Sequence, residues 1–255
     1  RIINMNKLGN ALNEAQDSPI MSLYVYHSNP AAIAPDQNMV LKGLAREDLF
    51  TIVHERFMTD TAKYADIVLP ATTSLEHSDL YRAYGHYTIQ RAYAAIPPVG
   101  QAKSNWEVFC LLAEAMGINK PFFNQSADSL IDSILAKPSS WLASTKIETL
   151  LEGRPLELPM PDNYKTQFKT SSEKIEILNS KEDEPLPKYL KPHGDKAEFW
   201  LINSPDARLL NSSFNEREDL TKTNRMLLQM NPDDADKMNF TDEQTVVAYN
   251  ERGEV

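Results

Sequence analysis

Three short polar clusters stand directly behind apolar runs: His27-Ser28-Asn29-Pro30, His54-Glu55 and Pro70-Ala71-Thr72-Thr73. Side chains of these types suit hydrogen bonding to a polar small molecule. Glu55 stands where a nucleotide fold places an acceptor for ribose hydroxyls, just behind the second strand. The phosphate cradle of ordinary dinucleotide folds is missing. No G-x-G-x-x-G follows the first run, and the whole chain has eight glycines. Hydrolytic chemistry is equally unmarked. G-x-S-x-G and H-E-x-x-H are both absent, and the next histidine after His54-Glu55 is His77. Histidines 27, 54, 77 and 86 follow no metal-ligand spacing, so a single polar contact each is the expected role, and no metal ligand is assigned. The one cysteine, Cys110, lies in the apolar run VFCLLAEAM and reads as a buried helix residue. Alone it holds neither an iron–sulfur cluster nor a structural zinc.

The elements that must position these groups follow an α/β rhythm. MSLYVY (21–26), DLFTIVH (48–54) and ADIVLP (65–70) are apolar and β-rich. Between the first two, Val40, Leu41 and Leu44 recur at helical spacing, with Asp36 available as N-cap. Between the last two, Thr59 caps a short helix through TDTAKYA. Continuously apolar strands alternating with helices predict a parallel sheet covered on both faces, a three-layer, Rossmann-like domain. Ligands of such sheets bind outside the carboxyl ends of the strands, which would gather the three polar clusters along one edge. HYTIQRAYA reads as a further strand. A helix begins at Ser104, where SNWE is a capping box with Glu107 reaching back, and Gly117 ends it. Its stripe of Trp106, Phe109, Cys110, Ala113 and Met116 is expected to pack in a core.

From about 138 the character changes. KPSSW, GRPLELPMPDNY and EDEPLPKYLKPHGDK are proline-rich connecting segments, and FKTSSEKIEIL (168–178) reads as a hairpin or a turn into a strand. β-rich sequence resumes at EFWLINS (198–204), and MLLQMNPDDADKM with TDEQTVVAYNERGEV reads as strand, short helix and strand-turn. The expected division is an α/β domain at 1–137, a connecting segment with hairpin at 138–196, and the opening of a β-rich domain at 197–255. Arg1 in place of a methionine, and a tail that reads as a turn into a strand, predict a fragment of a longer chain.

The chain has 255 residues, 42% of them apolar and 24% charged, with a net charge of −10. These values are ordinary for a globular protein with a real core. The acidic balance and the lack of a Lys/Arg cluster exclude a nucleic-acid surface. No apolar run approaches the roughly 20 residues that span a bilayer.

YVYHSNPAAIAPDQNMVLKGL, LFTIVHERFMTDTAKYADIVLPATTSLE and PPVGQAKSNWEVFCLLAEAMG closely resemble the third domain of molybdopterin oxidoreductases. This is the dimethyl sulfoxide reductase family, which also contains formate dehydrogenases and nitrate reductases. The pairing of F-x-T-[DE]-T-A-x-x-A-D-[IV]-V-L-P with a downstream PP-x-G-x-A-K carries most of the likeness. LINSPDARLLNSSF and MNPDDADKMNFTDEQTVVAYNERGEV resemble the start of the family's fourth domain, a double-psi β-barrel, here truncated. The resemblance implies two molybdopterin guanine dinucleotides holding molybdenum or tungsten, and transfer of an electron pair to or from a small substrate. It also implies an electron-transfer partner, and an upstream region, outside these residues, carrying the metal ligand and iron–sulfur cysteines. The chain alone would then be inactive, and a cytoplasmic location is the expectation. The competing reading is a stand-alone, non-enzymatic guanine-nucleotide-binding or structural module.

Matching motif positions assigns cofactor contacts residue by residue. Asn29 and the His54-Glu55 pair would meet ribose and guanine. His77, in SLEHSD, matches a position that is often basic. Asn105 matches an aspartate that reads guanine, and its amide offers one acceptor oxygen where a carboxylate offers two; its plain rival is simply the first residue of a capped helix. Ser204, Arg208, Asn211, Ser212 and Ser213 match a loop that contacts pterin and phosphates, against the alternative of a solvated loop. Where many members carry E-[KH]-E-G after the third strand, this chain has EHSDLYRAYGHYTIQ, a departure that separates its branch.

Overall fold

The computed structural model describes all residues except 1, 16–17, 138–146, 161–162, 182, 192–196, 206–208 and 222–225. The chain forms two compact units, each discontinuous in sequence: Arg1–Thr73 with Pro98–Leu112 and Pro205–Val255, and Ser74–Pro97 with Ala113–Ser204.

In the first unit, β1 (Ser22–Tyr26), β2 (Phe50–Glu55) and β3 (Ile67–Pro70) form a parallel sheet in the order β1-β2-β3. The three runs named from their apolar character are therefore strands, and all three end at one edge. Tyr26 stands opposite His54, and Glu55 opposite Pro70. Alternation of side chains across the pleat sends Val25 and Val53 to one face, where they pack with Ala62. Tyr24 and Tyr26 go to the other face and meet Phe109, with ring centroids 5.7 and 5.5 Å apart. The central strand is buried through Thr51, Val53 and His54. On the outer strand β3, by contrast, Ile67 and Val68 remain 42% and 36% exposed. Burial is thus concentrated in the central strand, although Phe50 at its start is also exposed, since an outer strand of a three-stranded sheet has a neighbour on one side alone.

Helices supply the covering layers. On the Val25/Val53 side, α1 (Leu8–Glu14), α2 (Pro30–Ile33) and α3 (Gln37–Leu44) enclose Leu12, Ala31, Val40, Leu44 and Leu49. Two glycines let α1 and α3 approach. A Cβ on Gly43 would lie 2.6 Å from Leu12 Cβ, and one on Gly9 would lie 2.7 Å from Met39 Cβ. Asn13 then bridges the pair, donating to the carbonyls of Gly9 and Met39. Asp36 caps α3 as expected, its Oδ1 accepting from the Met39 amide, and it does so at a positive φ of 59°. α1 itself was not foreseen, because its seven residues carry only two buried positions and no side-chain cap.

The opposite layer is α4 (Asn105–Ala115). Its capping box forms as the sequence implies: the Ser104 amide donates to Glu107 Oε2 at 2.9 Å, and the Glu107 amide donates to Ser104 Oγ at 3.3 Å. At its end Gly117 takes φ +70°, and the Ile118 amide reaches back to the Ala113 carbonyl. The expected stripe is partly displaced. Val108 and Ala113 are the buried residues, whereas Met116 is 72% exposed, because it falls past the last helical turn.

The second unit is built on an antiparallel sheet, β4 (Asp79–Arg82), β5 (Thr88–Ala92) and β6 (Leu156–Glu157), in that order. With α5 (Ala127–Leu135) and α6 (Glu148–Leu151) it encloses Ile89, Ile131, Leu135, Leu150 and Leu156. HYTIQRAYA is indeed a strand, β5. Arg91, 4% exposed, crosses from β5 to α5, donating to Asp128 at 2.9 Å and to Asp132. Its guanidinium also lies 4.7 Å from the Tyr93 ring centroid.

Towards the C-terminus come α7 (Glu218–Thr221), α8 (Pro232–Lys237) capped by Asn231, and a hairpin of β7 (Tyr249–Asn250) and β8 (Gly253–Glu254). The Asn38 amide donates to the Arg252 carbonyl, which ties the hairpin to the start of α3. Three sequence expectations need correction. MLLQM (226–230), expected as a strand, has no regular structure. FKTSSEKIEIL makes its turn, with Glu173 at φ +53°, but no strand forms, and Ile175 and Ile177 are 67% and 66% exposed. EFWLINS also lacks a strand, with Ile202 85% exposed. A strand needs a partner for its N–H and C=O groups, and among the described residues none runs beside any of these segments.

Candidate functional site at the carboxyl edge of the parallel sheet

At the ends of β1, β2 and β3 the backbone turns away from the sheet, and the chain entering α4 comes in beside them. Ala71 and Lys103 form a parallel bridge. The Lys103 amide donates to Pro70, and the Lys103 carbonyl accepts from the Thr72 amide at 3.2 Å. This brings the N-terminus of α4 to the edge carrying the polar clusters.

The sequence-assigned residues divide into buried and partly exposed ones. Asn29 is 6% exposed, and its Oδ1 accepts from both the amide and the hydroxyl of Thr61, at 3.1 and 2.7 Å. Thr61 Oγ1 in turn accepts from the Ala31 amide at 3.0 Å. The network fastens the turn after β1 to the approach to β3. His54 is 1% exposed, with Nε2 3.1 Å from the Lys103 carbonyl. A carbonyl can only accept, so Nε2 carries a proton, and Nδ1 is buried with no hydrogen-bond partner among the described residues.

Glu55 and Asn105 are partly exposed. The Glu55 side chain is 14% exposed; its Oε1 accepts from the Arg56 amide at 2.7 Å, and Arg56 Nε lies 3.7 Å away. Asn105 is the first residue of α4, and its Nδ2 lies 2.8 Å from His27 Nε2. His27 is held at φ +53°, in the left-handed region that few non-glycine residues occupy. Its place in the site was not assigned from sequence. The visible signal was its position at a strand end, whereas the backbone conformation that aims it at Asn105 leaves no mark in YHSNP.

The remaining assignments lie elsewhere. His77 belongs to the second unit, with Nε2 3.8 Å from Asp79 Oδ2. Ser204 is exposed, in a segment without regular structure. Asn211 and Ser212 form the tip of a tight turn closed by the Ser213 amide on the Leu210 carbonyl, with Asn211 at φ +53°. Arg208 lies outside the described residues. Of the four histidines weighed above as metal ligands, 27 and 54 belong to the first unit and 77 and 86 to the second. Among the described residues no three His, Cys, Asp or Glu side chains gather as a metal site, and no helix is long and apolar enough to cross a membrane. Cys110 is half-buried, and burial, with Glu107 nearby, pushes its thiol pKa up.

Alongside the edge, Tyr24, Tyr26, Ser28, Pro30 and Ile33 line a mostly apolar cleft of about 250 Å³ together with Met5 and Leu8.

Comparison with known proteins gives this geometry a family. Residues 3–115 match the family model described as molybdopterin oxidoreductase. Over 267 residues the chain is 40% identical to a probable oxidoreductase, YoaE, of Bacillus subtilis (strain 168), covering 100% of this chain and 38% of that protein. It is 34% identical over 124 residues to the assimilatory nitrate reductase catalytic subunit of the same organism, covering 48% of this chain and 17% of that one. The chain thus spans well under half the length of these relatives. Among solved structures, the acetylene hydratase from Pelobacter acetylenicus superposes with a TM-score of 0.60 at 24% identity, over 75% of this chain and 26% of that one. The α/β fold with its parallel sheet is accordingly similar to that of this hydratase.

Proposed function

Since the chain belongs to the molybdopterin oxidoreductase family through the domain at residues 3–115, we propose that its parallel sheet holds the guanosine end of a molybdopterin guanine dinucleotide. The observation that carries this reading is the convergence of Glu55, Asn105 and His27 at the carboxyl edge, in the mouth of which α4 begins. The donor set suits the group. Glu55 offers a carboxylate to ribose hydroxyls, and Asn105 offers an amide oxygen to the N–H groups of guanine. Asn29 and His54 support the edge from within. Their polar atoms hold Thr61 and Lys103, so they shape the floor on which the nucleoside rests rather than reaching it.

The metal carried by the pterin, molybdenum or tungsten, supplies two-electron chemistry when bound. This chain's residues contribute positioning, and the intact, longer protein moves the electron pair between a small substrate and an electron-transfer partner. Within the same proposal, 197–255 is the start of a double-psi β-barrel. Ser204, Arg208, Asn211, Ser212 and Ser213 would donate to phosphate or pterin from there.

Calorimetric titration of the chain with guanosine 5′-monophosphate tests the reading. Binding should occur, and Glu55→Ala should weaken it about tenfold or more, as loss of a charge-assisted hydrogen bond of roughly 1.5–3 kcal/mol requires. Circular dichroism establishes that the variant is folded. An unmutated chain that takes up no guanosine nucleotide would sink the proposal.

A further inference from the structure

We infer that His27 is a positioning residue that sets the base preference of this edge by fixing which end of the Asn105 amide faces the ligand. The inference rests on the guanosine reading above and names the device that would make it selective.

A carboxamide has two ends of nearly equal size and opposite hydrogen-bonding character. An asparagine free to turn over would accept from guanine through its oxygen and donate to adenine through its nitrogen, and so would discriminate poorly. At position 105 the nitrogen is engaged: Nδ2 donates to His27 Nε2 at 2.8 Å. With that end committed, Oδ1 is the end left to accept, and the N1–H and N2–H edge of guanine presents donors. The N1 edge of adenine presents an acceptor, which meets Oδ1 as a like lone pair.

The position of His27 is itself unusual. It takes φ +53° immediately after β1, and its ring packs 5.6 Å from that of Tyr26. Tyr26 in turn is held edge-on by Phe109, one turn along the helix that begins at Asn105. The imidazole is therefore braced against the same helix whose first side chain it orients. Backbone strain of this type persists where surrounding structure over-determines it, and it concentrates at ligand sites.

The test compares affinities for guanosine and adenosine 5′-monophosphates in the unmutated chain, His27→Ala, Asn105→Asp and the double variant. Because alanine is strained at a positive φ, His27→Gly, which accommodates it, is carried alongside. The unmutated chain should favour the guanosine nucleotide. Both His27 variants should lower that preference about tenfold, the equivalent of one net hydrogen bond. Asn105→Asp has acceptors at both ends and nothing to orient, so it should keep the preference, and His27→Ala should leave it unchanged in that background. A guanosine-to-adenosine ratio unmoved by either His27 variant overturns the inference and leaves the guanosine reading standing. A loss as large in the Asn105→Asp background also overturns it, since His27 would then act on the ligand directly. If the unmutated chain binds no guanosine nucleotide, the guanosine reading and the inference fall together.

Discussion

Thr61 donates both its amide and its hydroxyl proton to one atom, Oδ1 of Asn29, across 32 residues of chain and with no access to water. The bonds belong to one network, because Thr61 Oγ1 also accepts from the Ala31 amide. Asn29→Ala removes the acceptor and strands two buried donors. Thr61→Val removes the hydroxyl and leaves the Ala31 amide unpaired. Each should cost about 1–3 kcal/mol in chemical denaturation. The two losses should fall short of additive by about 0.5–3 kcal/mol, because both variants break the same bond. Strict additivity would show that Asn29 and Thr61 act independently.

Gly43 sets two effects in opposition. Helix propensity alone predicts that Gly43→Ala stabilises α3 by about 1 kcal/mol. The added Cβ would stand 2.6 Å from Leu12 Cβ and 2.9 Å from Leu12 Cδ1, closer than carbon atoms pack. Overpacking costs about 1–3 kcal/mol, so the steric term should win and the variant should be less stable than the parent. Adding Leu12→Ala should not rescue the variant, because alanine keeps the Cβ that lies 2.6 Å away and only the Cδ1 contact is relieved.

What the sequence disclosed divides by range. The capping box at Ser104, the cap at Asp36 and the apolar run of β2 are local patterns, and each formed as read. The parallel order of β1, β2 and β3 also followed, since alternating strands and helices leave few other arrangements. Contacts made across long stretches left no such trace. Arg91 in TIQRAYA looks like any strand arginine until α5, 37 and 41 residues on, supplies Asp128 and Asp132. His54 reads as a strand-end histidine that would meet the nucleoside, yet the chain entering α4 buries it. β4 and β6, of four and two residues, are too short to show a period. Discontinuous units, with 98–112 returning to the first, have no compositional boundary to mark them.

Arg91 should behave as the pin of the second unit. It is buried while its two aspartates are half in water, their side chains 50% and 58% exposed, so the ion pairs themselves are largely screened. Removing the guanidinium nevertheless deletes two charge-assisted hydrogen bonds and the Tyr93 contact, at a cost of about 2–4 kcal/mol. Arg91→Ala should therefore raise amide hydrogen exchange in β5 and α5 and leave β2 protected. Equal deprotection of both regions would contradict a local role.

Cys110 should be a poor nucleophile. Burial and the Glu107 carboxylate both raise its pKa above the ordinary thiol value, so the reactive thiolate is scarce at neutral pH. Iodoacetamide should modify the folded chain at pH 7.5 much more slowly than the urea-unfolded chain, as read by intact mass. Raising the pH towards 9 should speed the folded reaction. Glu107→Gln should lower the pKa and quicken modification, although it also weakens the cap that Glu107 completes.

His54 separates reach from volume. Its Nε2 proton meets the Lys103 carbonyl, so the imidazole ties the chain that enters α4 to the end of β2, while the Thr72 amide, donating to the same carbonyl, ties it to the residues after β3. A glutamine places its amide nitrogen at about the distance of Nε2, whereas an asparagine ends near Nδ1. His54→Gln should therefore retain most of the stability. His54→Asn, with a similar amide but a shorter reach, should lose about 1–3 kcal/mol by leaving its donor unmade and a void beneath Lys103. The same ranking should appear in amide exchange at Thr72 and Lys103, and in guanosine nucleotide affinity, because Asn105 lies two residues beyond the clamp. If the two variants were equally destabilised with unchanged exchange at Thr72, the imidazole would be filling space rather than holding the junction.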